Sequence, residues 1–273
     1  MSLKNKEELF KQLSALPNPF SWQKEISHFF INGPDFVERL QTIDNVNEEF
    51  NMYTFSNILI LINTFVNNNN LSEVQKLINI LEIKFAYFNN ENENEKQFWN
   101  YQKAFRYVFK ICKCLVSLME NSLEKANAIF TDALEDVDFE ERYTKAALMG
   151  LKADYLIYSE YKDYPKIVEL LEGAIELEPE QDYWHFCLGK ILSRRRRLTS
   201  AFASQYEDQR KEIQSFEKAF ALRKCGIHAA FLAESLVEIS NNIYYDNKYS
   251  NSLTDNVKQK INAMNERCLL LIR

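Results

Sequence analysis

Thiols, imidazoles and carboxylates are the first candidates for chemistry in this chain. Cys112 and Cys114 stand two residues apart, as do His185 and Cys187, while His28 and His228 stand alone. Zinc takes thiolate and imidazole ligands only where they converge on one point, and in a helix residues two apart point to different faces. The spacing predicts no metal site, and the cysteines read as small core residues. Carboxylate pairs such as Glu140 with Glu141, or Glu176 with Glu178, fit a solvated helix face. The sequence carries neither a Gly-rich phosphate loop nor a nucleophile elbow. The expectation is a protein that is not an enzyme and uses no cofactor.

A different chemistry is written in the distribution of charge. Residues 120–182 hold 17 Asp and Glu against 6 Lys and Arg, whereas residues 183–224 hold 10 Lys and Arg against 4 acids. The basic stretch centres on Lys190 and the run Arg194, Arg195, Arg196, Arg197. Lys190, Arg194 and Arg197 follow an i, i+4, i+7 spacing, which is one helix face, and Tyr183 and Phe186 lie on a neighbouring stripe. Cations interleaved with rings suit phosphates and stacked bases. They suit an acidic protein segment as well. A solvated face, or one paired with the acidic block before it, needs no ligand at all. The sequence leaves these three readings open, and the formal net charge of −6 argues against a dedicated nucleic-acid binder.

The elements that must position these residues are helices. Glycine and proline number five each among 273 residues, far below the ~12% they make up together in ordinary proteins. Sheets and loop-rich folds spend them on turns. Leu16-Pro17-Asn18-Pro19 and Asn32-Gly33-Pro34 divide residues 1–46 into short helices. Longer helices are predicted over 47–66, 71–88, 95–119 and 123–135, separated by Asn67–Asn70, the Asn89–Asn94 loop and Asn121-Ser122. Leu151–Pro179 reads as a helix, a Lys162-Asp163-Tyr164 turn and a second helix closed by proline. Residues 227–245 and 253–273 read as two closing helices, the last with Val257, Ile261, Met264, Cys268 and Leu271 on one stripe, as in a cap or a docking helix. A further stripe, Val108, Ile111, Leu115, Leu118 and Met119, requires an apolar cover: the N-terminal helices, the closing helix, a second subunit or a client. Equivalent positions on the second helices fall at Leu81, Ala133, Ala174 and Ala219, spaced 52, 41 and 45 residues apart. A helical hairpin therefore recurs, with irregular period.

The N-terminus alternates charge with apolar residues and gives no signal peptide. Ile58–Val66, the most apolar stretch, is too short to span a bilayer. Five cysteines without a disulfide-like framework fit reduced thiols in a cytoplasmic protein with no membrane role.

Residues 148–181 resemble a tetratricopeptide repeat (TPR): Leu151, Tyr158, Tyr164, Ala174 and Pro179 stand where that family has large, large, aromatic, alanine and proline. Ile167 replaces its usual small residue and Tyr155 its usual glycine. Leu188-Gly189 then occupies the family's Leu-Gly position in the next first helix. Over about residues 140–220 the chain is also similar to the interferon-induced TPR proteins, through Glu176-Leu177-Glu178-Pro179-Glu180, a helix ending Ser193-Arg194 and an insertion before the next repeat. That likeness places Arg194 on an arginine facing a basic cavity for the 5′ end of RNA, with Ser193 in place of the family tyrosine. The TPR resemblance implies a right-handed superhelix whose first helices line a concave groove, with Lys152, Tyr183, Phe186, Lys190, Arg194 and Arg197 toward it. It does not extend to the clamp for chaperone tails, because Leu156 occupies the place of a required asparagine.

The expected protein is thus an all-α, TPR-like helical-hairpin solenoid with irregular repeats. Residues 1–46 cap it or fill its groove, 47–224 form the repeats and 225–273 close the array. Its expected role is a non-catalytic binding module or adaptor that holds a protein segment in the groove or on a terminal face. The alternative is a binder of single-stranded RNA. Exposed helix faces also offer a route to homo-oligomers.

Overall fold

The computed structural model describes residues 5–23, 52–87, 100–135, 137–158, 163–198, 205–249 and 254–272, and every regular element among them is an α-helix. In chain order these are α1 (Lys6–Ala15), α2 (Pro19–Gln23), α3 (Met52–Asn67), α4 (Leu71–Tyr87), α5 (Gln102–Met119) and α6 (Leu123–Glu135). There follow α7 (Arg142–Ile157), α8 (Tyr164–Leu177), α9 (Asp182–Leu198), α10 (Gln205–Leu222), α11 (Gly226–Tyr249) and α12 (Asp255–Ile272). They form two compact units, Met1–Glu178 and Pro179–Arg273. The boundary falls within the 47–224 stretch read from sequence as one set of repeats. The Asn32-Gly33-Pro34 stop and the Asn89–Asn94 loop lie outside the described residues.

Local chemistry sets the helix ends. The Asn5 side chain accepts the Glu8 amide at 2.8 Å, and Asp163 accepts that of Lys166 at 3.2 Å, so each satisfies a first-turn donor with no helical partner. Pro165 follows in the first turn of α8, where its missing N–H costs nothing. With glycine scarce, asparagine takes the left-handed position that stops a helix: Asn69 after α3 at φ 54° and Asn121 after α5 at φ 58°. Beyond them the Asn70 amide donates to the Phe65 carbonyl at 2.9 Å, and that of Ser122 to Ser117 at 2.8 Å, which pairs carbonyls of the last turn.

Successive helices pack as hairpins, α3 with α4, α5 with α6, α7 with α8, α9 with α10 and α11 with α12. Leu81, Ala133, Ala174 and Ala219, the positions equated from sequence, are all buried. In the N-terminal unit the core is rich in rings: Phe55 lies 4.5 Å from Phe105, and Phe85 5.3 Å from Phe109. Val108, Ile111 and Leu118 of the α5 stripe are buried, and α3, α4, α6 and α7 all pack on α5. The cover that stripe required comes from its neighbours in the fold. At the N-terminus α2 packs on α7, with the Trp22 and Tyr155 rings 5.8 Å apart. Among the described residues no helix is long and apolar enough to cross a membrane.

Candidate functional site

The residues singled out from sequence divide between the units, Lys152 on α7 of the first and the other five on α9 of the second. Nearly all of α9 is interior: every residue from Asp182 to Gly189 is buried, as are Ile191, Leu192, Ser193 and Arg196. A helix apolar on most sides cannot hold its rings toward solvent. Tyr183 and Phe186, expected to line a groove, are each only 2% exposed. Phe186 lies 5.0 Å from Phe231, 5.1 Å from His228 and 6.0 Å from Phe216, at the centre of an aromatic cluster in the C-terminal unit. The stacking role expected of these two rings is corrected to a packing one. Lys190 sets its ammonium 5.4 Å from the Phe186 ring centre, a cation over the cluster. Lys152, Lys190 and Arg194 are half-buried, and each already takes part in an interaction.

The two arginines that follow act as one charged unit. The buried Arg196 donates through Nε to Glu212 Oε2 at 2.9 Å and through Nη2 to Glu212 Oε1 at 3.1 Å and Glu238 Oε2 at 2.7 Å. Arg197, half exposed, reaches the same Glu238 through Nε at 3.0 Å and Glu234 through Nη2 at 2.8 Å. Burial pulls both guanidiniums down, and the carboxylates facing them outweigh it, so both are held above the ordinary arginine range. Burial pushes the Glu238 carboxyl up, while hydrogen bonds from both arginines bring it to a net position below the usual value. Arg197, expected to face the groove, therefore ties α9 to α11. Its partners, Glu234 and Glu238, both come from α11, not from the acidic block that precedes α9.

Other ionisable groups are structural in the same sense. His228 donates from Nδ1 to the Arg223 carbonyl at 3.0 Å and brings Nε2 to 3.6 Å from Asp182 Oδ2. Burial lowers the His228 pKa and raises that of Asp182. Burial also lowers that of His185, whose Nε2 lies 2.8 Å from the Pro179 carbonyl. In the N-terminal unit burial pushes the Cys112 thiol up to about 12, with the neighbouring Cys114 adding to the effect, and burial alone pushes Cys114 up to about 12. Thiols so reluctant to ionise are core residues rather than nucleophiles. Among the described residues no three His, Cys, Asp or Glu side chains gather as a metal would require.

Among the described residues are two open recesses that the sequence reading did not mark. In the N-terminal unit α4, α5 and α6 frame about 280 Å³ lined by Phe85, Arg106, Phe109, Lys110, Lys113 and Asp132, among others. Lys110 pairs with Asp132 at 3.1 Å and Lys113 with Glu82 at 2.5 Å. In the C-terminal unit α10, α11 and α12 frame about 460 Å³, with Ile213, Ile239 and Met264 as its apolar lining and Arg210, Lys260, Arg267 and Glu217 as its charged lining. Arg267 pairs with Glu217. The α12 stripe held one clue, since Met264 and Cys268 are buried on it. The charged residues that flank Met264 carried no such mark. No family model matches the chain, and no curated protein matches it.

Proposed function

We propose that the chain is a non-catalytic binding module, a TPR-like right-handed solenoid adaptor that recognises a protein segment on the terminal face built by α10, α11 and α12. The observation that carries this reading is the recess of about 460 Å³ between these helices, with its apolar floor and charged rim. Pockets that bind ligands measure ~300–1,000 Å³ and combine apolar walls with a few polar groups. Leu270, 71% exposed, follows Arg267 by three residues and extends the apolar surface next to the recess. Consecutive hairpins and the buried equivalents Ala133, Ala174 and Ala219 support the repeat reading. The RNA-binding alternative set Arg194, Lys190 and Lys152 on phosphate and Tyr183 or Phe186 against a base, and the burial of both rings removes the stacking part of it.

The test is selection of a random-peptide library on the full chain, followed by fluorescence anisotropy of the selected peptides. Gln214→Trp fills the recess from an exposed position. Peptides should bind the wild-type chain and lose roughly tenfold or more in affinity for Gln214→Trp, about 1.4 kcal/mol. Selected peptides that bind both forms equally, or an empty selection, would remove this reading.

A further inference from the structure

We propose that α11 pairs with α11 of a second copy of this chain, antiparallel about a twofold axis at Asn241, so that the protein self-associates as a symmetric dimer. This goes beyond the binding-module reading and stands or falls without it. The inner side of α11 packs on α10 and α12, with Leu232, Leu236, Ile239 and Ile243 buried there. Its outer side is a stripe at three- and four-residue spacing: Ala230, Glu234, Val237, Asn241, Tyr245 and Lys248, all exposed. Val237 is 39% exposed and Tyr245 51%. Single exposed apolar residues are ordinary. What selects a partner here is the order of the stripe.

A twofold axis across a helix sets residues equally far from it, in opposite directions, level with each other in an antiparallel contact. Val237 and Tyr245 each stand four residues from Asn241, ~6 Å along the helix, and Glu234 and Lys248 each stand seven, ~10 Å. Val237 therefore meets the partner's Tyr245 and Glu234 meets the partner's Lys248, and the symmetry makes each contact twice. At the axis Asn241 meets the partner's Asn241. A primary amide both donates and accepts, so the two side chains satisfy each other, and one such asparagine pair fixes the register of a helix contact. Setting the exposed Ile227 level with the partner's Tyr245 would instead put the axis at Leu236, which is buried, and bring Glu234 level with the partner's Glu238.

Neither charge gives up what it already holds. Glu234 meets Arg197 at 2.8 Å, and Lys248 lies 5.6 Å from the Tyr244 ring centre. A carboxylate has about four acceptor positions and an ammonium three donors, so a contact within the chain and one across the axis coexist. Exposed ion pairs add little affinity; these orient the pair, and the Val237 and Tyr245 contacts supply the attraction. One helix pair buries less than the ~800 Å² per partner of a standard interface, so the dimer forms and dissociates with protein concentration. Ile239, which lines the α10–α12 recess, stands two residues from Val237 and from Asn241, about 200° round the helix. Pairing leaves both recesses open, and one dimer offers two of them.

Sedimentation equilibrium of the full chain from about 1 to 100 μM reads the dissociation constant. The wild type should pass from monomer toward dimer in that range. Val237→Glu, at an exposed position, should keep the helical circular dichroism and raise the dissociation constant roughly tenfold or more. Glu234→Lys and Lys248→Glu should each associate more weakly alone, because each sets like charges level across the axis twice. Arg197 keeps Glu238, at 2.9 Å, in Glu234→Lys. An equimolar mixture of these two variants should dimerise, because both contacts then join opposite signs. A wild type that stays monomeric, a dimer that Val237→Glu leaves unchanged, or a mixture no more associated than its components would each overturn the proposal, and none of them bears on peptide binding in the recess.

Discussion

In the N-terminal unit the interior is closed by rings, Phe55 against Phe105 and Phe85 against Phe109, with a neutral hydroxyl, Ser56, donating to the buried Asp154 at 2.5 Å. In the C-terminal unit the interior takes in both signs of charge as an ion pair, Arg196 with Glu212, both buried. The surfaces differ in the opposite sense. Among the described large apolar residues of the N-terminal unit only Ile83 is exposed. The C-terminal unit exposes Leu198, Ile227, Val237, Tyr245, Leu269 and Leu270. A buried ion pair adds little net stability compared with well-packed apolar residues, but it fixes which atoms face which. Apolar side chains left in water forgo their burial energy, and where they adjoin a recess they mark a surface that binds. The comparison therefore sets a ring-packed interior under a mostly polar surface against an interior with a buried ion pair under more exposed apolar side chains.

The strongest way to break that comparison is to remove one partner of the buried pair. Glu212 is 0% exposed, so Arg196→Ala leaves a carboxylate with neither water nor a cation. We expect a loss of about 3–5 kcal/mol in urea unfolding followed by circular dichroism. Arg196→Met combined with Glu212→Leu should recover most of it, because the desolvation penalty goes with the charges. Arg197→Ala, at a half-exposed position, should cost under about 1 kcal/mol. Equal losses for the two arginines would show that the buried pair does not hold the C-terminal unit in the way described.

A glycine from each unit sharpens the contrast in packing. A methyl group at Gly189 would come within 2.6 Å of the buried Phe216 ring, between α9 and α10. That ring sits among Phe186 and Phe231 and has nowhere to go. Gly189→Ala should cost about 1–3 kcal/mol. At Gly173 on α8 the same methyl meets only the tip of the flexible Met149 side chain. Gly173→Ala should be neutral or gain up to about 1 kcal/mol from helix propensity. Thermal melts of the two variants decide it, and a Gly189→Ala melt equal to wild type would mean that the α9–α10 contact is looser than its geometry.

These cases also explain what the sequence could reveal. Helices and their breaks were legible because their causes are local: Pro17 between α1 and α2 with Pro19 opening α2, Asn68–Asn70 between α3 and α4, Asp163 at the start of α8. The hairpin register was legible through Ala133, Ala174 and Ala219, since small residues recur where helices approach closely. The site was not. An i, i+4, i+7 spacing shows that Lys190, Arg194 and Arg197 share a face, but on a helix apolar nearly all round it does not say which face is outside. Within four consecutive arginines nothing distinguishes Arg196, which is buried, from Arg197, which is not. Their partners lie 16 and 41 residues away in sequence and are chosen by tertiary packing. The α10–α12 recess likewise exists only where three helices meet.

The smallest effects come from pH, and they should run in opposite directions in the two units. His185 and His228, both in the C-terminal unit, have folded pKa values below their ordinary 6.5 because burial disfavours the charged imidazole. Above that value folded and unfolded chains are both neutral at these positions. As the pH falls below it, the unfolded chain takes up protons that the folded unit refuses, so stability declines. The raised pKa of Asp182 opposes this only at lower pH, upward from its ordinary 3.8, where the folded state is the better proton acceptor. The N-terminal unit carries the reverse case. Its Cys112 and Cys114 thiols, ordinarily near 9.0, are pushed up to about 12, so stability is complete below 9.0 and is lost as the pH rises toward 12. One pH unit above the ordinary value, that loss is on the order of 1 kcal/mol per thiol. Hydrogen exchange followed by mass spectrometry resolves the units separately. Protection should fall first in α9–α11 on acidification to pH 5, and first in α5 on raising the pH to 10. His228→Gln should flatten the acid limb without moving the alkaline one. Equal acid sensitivity in both units would mean that the buried histidines do not set the stability of the C-terminal unit.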